Sequence, residues 1–258
     1  MQPSRSHQQR LERERDEHDA IAASIDPDGM TVPAPGPLEL AIFEAAHIQP
    51  GTKVLDLGCG SGDLSLQLLA RGANVTGVDI SPGMIGVARR RAELNFPEAR
   101  AAFIAAPVED MGLAPGSFDA VVGRFILHHL DLDASAAEIA KLLARGGRAS
   151  FAENSARNPL LMFARGHLVG RMGVIRLGTA DERPLSEAEI RGLSRHFATT
   201  QASYPVFDFF RIFDRQILRF RRPLASRLCN RLDDLIERRA PWAHPYSFRV
   251  VVTVTRAA

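Results

Sequence analysis

An α/β fold, a seven-stranded and mostly parallel sheet with helices on both faces, is predicted from three observations. Between Lys53 and Asn154, short apolar runs alternate with stretches of helical period, the pattern of strands joined by crossover helices. The first apolar run, Val54-Leu55-Asp56-Leu57, breaks into a glycine turn, Gly58-Cys59-Gly60-Ser61-Gly62, that opens the next helix. After two apolar, arginine-dotted insertions at about 155–198 and 208–245, a β-branched run from Phe248 to Thr255 closes the sheet. The insertions predict a small helical cap.

The elements follow in order. Residues 1–37 read as a polar tail and a cap helix: residues 1–20 are almost wholly polar, and His18 to Ile25 carries a weak apolar stripe able to fold over a site. Pro33, Pro35 and Pro37 make a stiff connector. The main domain, 38–258, opens with a helix from Leu38 to His47, stopped before Pro50-Gly51. Strands are predicted at 54–57, 74–79, 102–105, 118–122 and 148–153, and helices at 63–71, 82–94 and 133–144. Pro82 suits a first helical turn, and Ala136, Ile139, Ala140 and Leu143 share one helix face. In the first insertion, Ser186 and Glu189 form a capping box that opens a helix to about His196. A sixth strand is predicted over 200–207.

Composition narrows the function. A 258-residue chain with 45% hydrophobic residues buries a sizeable core in one domain. A formal net charge of +2 supplies no field for nucleic acid. Cys59 and Cys229 make neither a disulfide framework nor a metal cluster, so no metal is expected. The N-terminus lacks an apolar signal core, and no run of about 18 apolar residues is present. Cytoplasm is the expected compartment.

The glycine turn lets backbone approach a ligand and aims helix N–H groups at it. Asp56 sits two residues before Gly58, and Asp79 ends the next strand, where an acidic side chain can accept both hydroxyls of a ribose. A nicotinamide fingerprint would place its third glycine one position later than Gly62, and a pyrophosphate would not favour Asp56 beside the turn. A cationic amino group would. The ligand expected carries an amino-acid end and a ribose, without a diphosphate.

Val54 to Gly62 resembles motif I of the class I S-adenosylmethionine-dependent methyltransferases, near the ubiquinone/menaquinone and small-molecule branch. Val78-Asp79-Ile80-Ser81-Pro82-Gly83-Met84 resembles their second motif, Phe118 to Val122 their fourth strand, and Arg145-Gly146-Gly147-Arg148 the turn before strand five. The resemblance implies a Rossmann-like fold and S-adenosylmethionine as cofactor. By it, Asp79 holds the ribose, while Ile80 and Met84 flank the adenine. The turn residues Gly58, Cys59 and Gly60 pass under the methionine moiety, and Asp56 orients the ammonium through water or a backbone amide. Where such proteins often read Gly-Asp-Ala-Glu, this chain reads Ala106-Pro107-Val108-Glu109. Adenine recognition is therefore assigned to the Val108 amide with Glu109 or Asp110.

Arg124 follows strand four and either meets the methionine carboxylate or makes a structural salt bridge. His128-His129 and Glu153 are the catalytic candidates, since a near-neutral imidazole or a carboxylate at the ligand edge can take a proton; purely structural roles remain open. Nine arginines between Arg211 and Arg239, interleaved with Phe209, Phe210, Phe213 and Phe220, suit an amphipathic anion or an anionic membrane surface. An apolar core face with solvated arginines is the alternative. The expected reaction is methyl transfer to an oxygen of a small, largely apolar, natural-product-like acceptor. C-methylation of a prenylated, prenyl diphosphate or quinone/lipid-like acceptor is the alternative, and a non-catalytic cofactor-binding subunit a third. The expected partners are a small-molecule acceptor and no nucleic acid, with peripheral membrane contact and a homodimer left open.

Overall fold

The computed structural model describes residues 5–167 and 183–258. The sheet comprises β1 (Lys53–Leu57), β2 (Asn74–Asp79), β3 (Ala101–Ala105), β4 (Phe118–Arg124), β5 (Leu143–Asn154), β6 (Thr199–Ser203) and β7 (Arg249–Thr255). Its order is β3-β2-β1-β4-β5-β7-β6. Neighbours from β3 to β5 pair in parallel, while β7 runs antiparallel to both β5 and β6. The chain winds outward from β1 in both directions, so a crevice opens between the carboxyl ends of β1 and β4, where such sheets bind ligands.

The helices are α1 (Arg5–Ala22), α2 (Pro37–Ala45), α3 (Asp63–Ala70), α4 (Pro82–Asn95), α5 (Leu132–Leu142), α6 (Pro159–His167), α7 (Glu187–Gly192), α8 (Phe210–Phe213) and α9 (Pro223–Arg239). Alternation along each strand divides the core into two layers. Leu55, Leu57, Val121, Phe151 and Val252 face one side with Ala136, Ile139 and Leu142 of α5. Val54, Val75, Ala120, Val122 and Val251 face the other, with Ile42 of α2, Leu66 of α3 and Ala88 of α4. The strands read as continuous apolar runs because both faces are covered.

Several boundaries differ from expectation. The polar N-terminal stretch and the weak stripe after His18 form one helix, α1, held by docking rather than by its own apolar content. Asp19 Oδ1 accepts from Ser81 Oγ at 2.5 Å and from Gly83 N–H at 2.9 Å, capping α4 from outside. β5 begins at Leu143, five residues before the predicted start, because Leu143 pairs with Phe118 ahead of an irregularity in the ladder. β6 stops at Ser203, before Pro205, which has no N–H for the ladder. α7 has the predicted capping box, with Glu189 N–H donating to Ser186 Oγ and Ser186 N–H to Glu189.

In the second insertion α8 continues into a π-helical turn, Asp214–Leu218. Fully buried Asp233 of α9 accepts from the N–H groups of Phe210 at 2.9 Å and Arg211 at 2.8 Å. That carboxylate does the work of an N-cap for α8. Residues 168–182, which hold Arg171 and Arg176 of the first insertion, lie outside the described residues. Among the described residues no helix is long and apolar enough to cross a membrane, and no cluster of His, Cys, Asp or Glu is placed to hold a metal ion.

Candidate functional site

At the carboxyl end of β1 the backbone turns sharply. Gly58 has φ +67° and Gly60 φ +50°, a region that disfavours side chains. A Cβ on Gly58 would stand 2.7 Å from Ile126 Cδ1, whereas one on Gly60 would meet nothing within 4 Å. The second position is an open cradle that a side chain would fill. Asp79, buried at the end of β2, accepts from Gly60 N–H and Ser81 N–H, each at 2.9 Å. Both carboxylate oxygens are thereby aimed and keep lone pairs for further donors, as a ribose diol requires.

These residues line one cavity together with Ile80, Pro107, Val108 and Glu109, an apolar wall with polar groups at its edge. Arg124, Phe125, Ile126 and His129 line it from the β4 side, and Leu11, Glu14 and His18 of α1 cover it. Glycine backbone, an aimed carboxylate and an apolar slot fit an adenosyl group bearing an amino acid. Val108 and Glu109 thus join the wall, whereas Asp110 is exposed and outside it.

Asp56 is buried under the turn, accepting from Ser65 Oγ at 2.5 Å. Loss of water raises its carboxyl to about 6, against the opposing pull of the Ser65 hydroxyl and the Arg124 charge. Asp56 is placed to act through the turn rather than by touching a ligand. Arg124 forms the salt bridge of the second expectation: its Nη1 lies 2.7 Å from Glu39 Oε1, and its Nη2 3.7 Å from Asp63 Oδ2.

Two side chains of the motifs turn away from the cavity. The Cys59 side chain points under the sheet toward Gly77, where a Cβ would come within 3.0 Å of Sγ, and burial raises its thiol; only its backbone belongs to the turn. Met84 packs with Ala22 and Val87 beneath α1, away from the cavity wall. In both, the local backbone turns the side chain inward.

The histidines part company. His129 lines the cavity, its Nδ1 3.5 Å from Glu14 Oε1 of α1. His128 is turned inward, with Nδ1 2.7 Å from Glu153 Oε2. Glu153 is fully buried and does not face the cavity; its Oε1 accepts from Ile126 N–H at 2.8 Å and Leu127 N–H at 2.6 Å. Phe125, at φ +58°, holds a backbone conformation uncommon for a bulky residue, just where the chain leaves β4. Sequence reasoning missed Phe125, Ser81 and Asp19; of these only Ser81, an N-cap ahead of Pro82, carried a local signal.

Residues 54–147 match the family model described as a methyltransferase domain. Over 146 residues the chain is 36% identical to a ubiquinone biosynthesis O-methyltransferase of Bordetella parapertussis, covering 55% of this chain and 58% of that one. Over 104 residues it is 36% identical to a ubiquinone/menaquinone biosynthesis C-methyltransferase of Rhizobium johnstonii, covering 39% and 40%. The chain thus spans about half the length of the relatives it matches. Among solved structures, geranyl diphosphate C-methyltransferase from Streptomyces coelicolor superposes with a TM-score of 0.57 at 16% identity, over 85% of this chain and 78% of that one, a likeness of fold. Residues 54–147 thus match a methyltransferase domain on a Rossmann-like sheet, and the residues of the glycine edge fit S-adenosylmethionine as the cofactor.

Proposed function

We propose that the protein transfers a methyl group from S-adenosylmethionine to an oxygen of a small, largely apolar acceptor, leaving S-adenosylhomocysteine. The observation that carries this reading is the histidine turn after β4, which brings an imidazole to the cofactor cavity on a rigid support. When bound, the cofactor supplies a methyl on a sulfonium, open to in-line displacement. His129 takes the proton of the acceptor hydroxyl, a task suited to a near-neutral base. Glu153 and His128 are positioning residues: the buried carboxylate ties down two turn N–H groups and the neighbouring ring, whose centroid lies 4.2 Å from that of His129. Holding reactants in place supplies much of the acceleration in such a displacement.

The O-methyltransferase relative supports an oxygen acceptor. The C-methyltransferase relative supports a second reading, C-methylation of a prenylated or quinone-like acceptor. A panel of phenolic and prenylated compounds, with S-adenosylhomocysteine release and product mass as readouts, separates the two. His129→Ala is expected to lower kcat by about 100-fold or more while S-adenosylhomocysteine still binds. Undiminished turnover in that variant would remove the base assignment. Cofactor binding without turnover on any acceptor would leave the non-catalytic subunit.

A further inference from the structure

A second cavity, about 360 Å³, lies under the cap, walled by Leu160, Leu161, Phe210, Phe213, Ile217 and Phe248. Its size falls within the range of small-molecule sites. Nothing in the cofactor site uses it. A wall residue of each cavity flanks the Arg249 guanidinium: Cζ is 4.7 Å from the ring centroid of Phe125, a wall of the first, and 5.5 Å from that of Phe248, a wall of the second. β7 is antiparallel, so its first residue falls at the carboxyl edge of the parallel strands, beside Asn154 at the end of β5.

Arg249 is largely buried, and among the described residues its one ion pair, to Asp208, is long. It donates to the neutral amide oxygen of Asn154, and Asp208 Oδ2 lies 3.4 Å from Nε, longer than the roughly 2.7–2.9 Å of a good charge-assisted hydrogen bond. Among the described residues Glu153 also acts on it, already engaged by the histidine turn, and Arg215 adds a like charge. Burial pushes the guanidinium down from its usual range. A buried cation in this setting favours an added anionic oxygen. The planar head also stacks on aromatic faces while its edge donates hydrogen bonds.

We propose that Arg249 and the apolar cavity form the acceptor subsite, and that the acceptor is an amphipathic anion. Its apolar body fills the cavity and its anionic oxygen meets Arg249, so that the reacting end is directed past Phe125 toward the cofactor. This rests on the methyl-transfer reading above. It also makes Arg249 a specificity-determining residue rather than a mere fastener between β5 and the cap.

The test is calorimetric titration of decanoate, and of neutral decanol, into protein saturated with S-adenosylhomocysteine. Wild type is expected to bind decanoate at least about tenfold tighter than decanol, a difference near 1.4 kcal/mol. In Arg249→Gln that preference collapses to within about twofold, and Arg249→Lys restores part of it. Phe213→Trp, at the half-exposed rim, weakens both probes together. S-adenosylhomocysteine affinity and melting temperature, measured on each variant, report folding separately. A fastening role alone would weaken both probes alike, and a charge preference intact in Arg249→Gln would overturn the proposal while leaving the cofactor reading untouched. Failure of wild type to bind S-adenosylhomocysteine would instead overturn the methyl-transfer reading and this proposal with it.

Discussion

Asp79 and Asp56 are both buried carboxyls near one ligand, yet they face opposite demands. Asp79 is aimed by two backbone donors into the cavity. Removing two hydrogen bonds to a charged group costs about 3 kcal/mol or more, so Asp79→Ala should weaken S-adenosylhomocysteine binding by about 100-fold, read by calorimetry. Asp56 holds its charge against burial, with its carboxyl raised from 3.8 to about 6. The folded state therefore binds more protons than the unfolded chain between those values, and stability falls as pH rises through that window. Above about pH 7 the penalty is complete, on the order of 3 kcal/mol. Asp56→Asn should melt higher than wild type at pH 8, with the gap closing below about pH 4. These two acids were legible because they flank a glycine turn at fixed spacing. Arg249, Phe125 and Asp19 were not, since their partners lie far along the chain, and a left-handed Phe125 runs against local propensity. Cys59 and Met84 were legible as motif members but not in their orientation, which depends on the dihedrals of the turn.

At the scale of elements, α1 shows how a sequence can conceal an ordered helix. Its Arg and Glu pattern reads as solvated, and its apolar positions are few. Order comes from α4, whose N-terminal donors Asp19 caps, and from Leu11, Glu14 and His18 over the cavity. Tertiary docking outweighs the weak intrinsic preference. Asp19→Ala should release α1, speeding trypsin cleavage at Arg13 and Arg15, and saturating S-adenosylhomocysteine should slow that cleavage in wild type. Equal cleavage rates in the two proteins would show that α1 is held by other contacts. The alternating strands and helices needed no such help: each predicted strand corresponds to an observed one, with shifts at ends set by Leu143 and Pro205.

Across the whole molecule, large apolar side chains exposed to solvent gather on the cap. Leu224, Leu228 and Leu235 of α9, with Phe220 and Trp242, stand out among exposed arginines such as Arg222, Arg227 and Arg231. Apolar groups ringed by cations match an anionic lipid surface. The protein should co-sediment with phosphatidylserine vesicles at low salt and leave them as salt rises; Leu224→Glu with Leu228→Glu should abolish the association. Retention at high salt would point away from charge pairing. The sheet itself sets one further consequence. Because β7 reverses direction, Arg249 lies at the ligand edge while Ala257 and Ala258 return to the other side, against Gly146 and Arg145. Seven residues of strand, roughly 20 Å, separate them. A fluorophore or purification handle attached after Ala258 would hang on the blind side of the molecule, whereas the same handle on α1 would sit across the door.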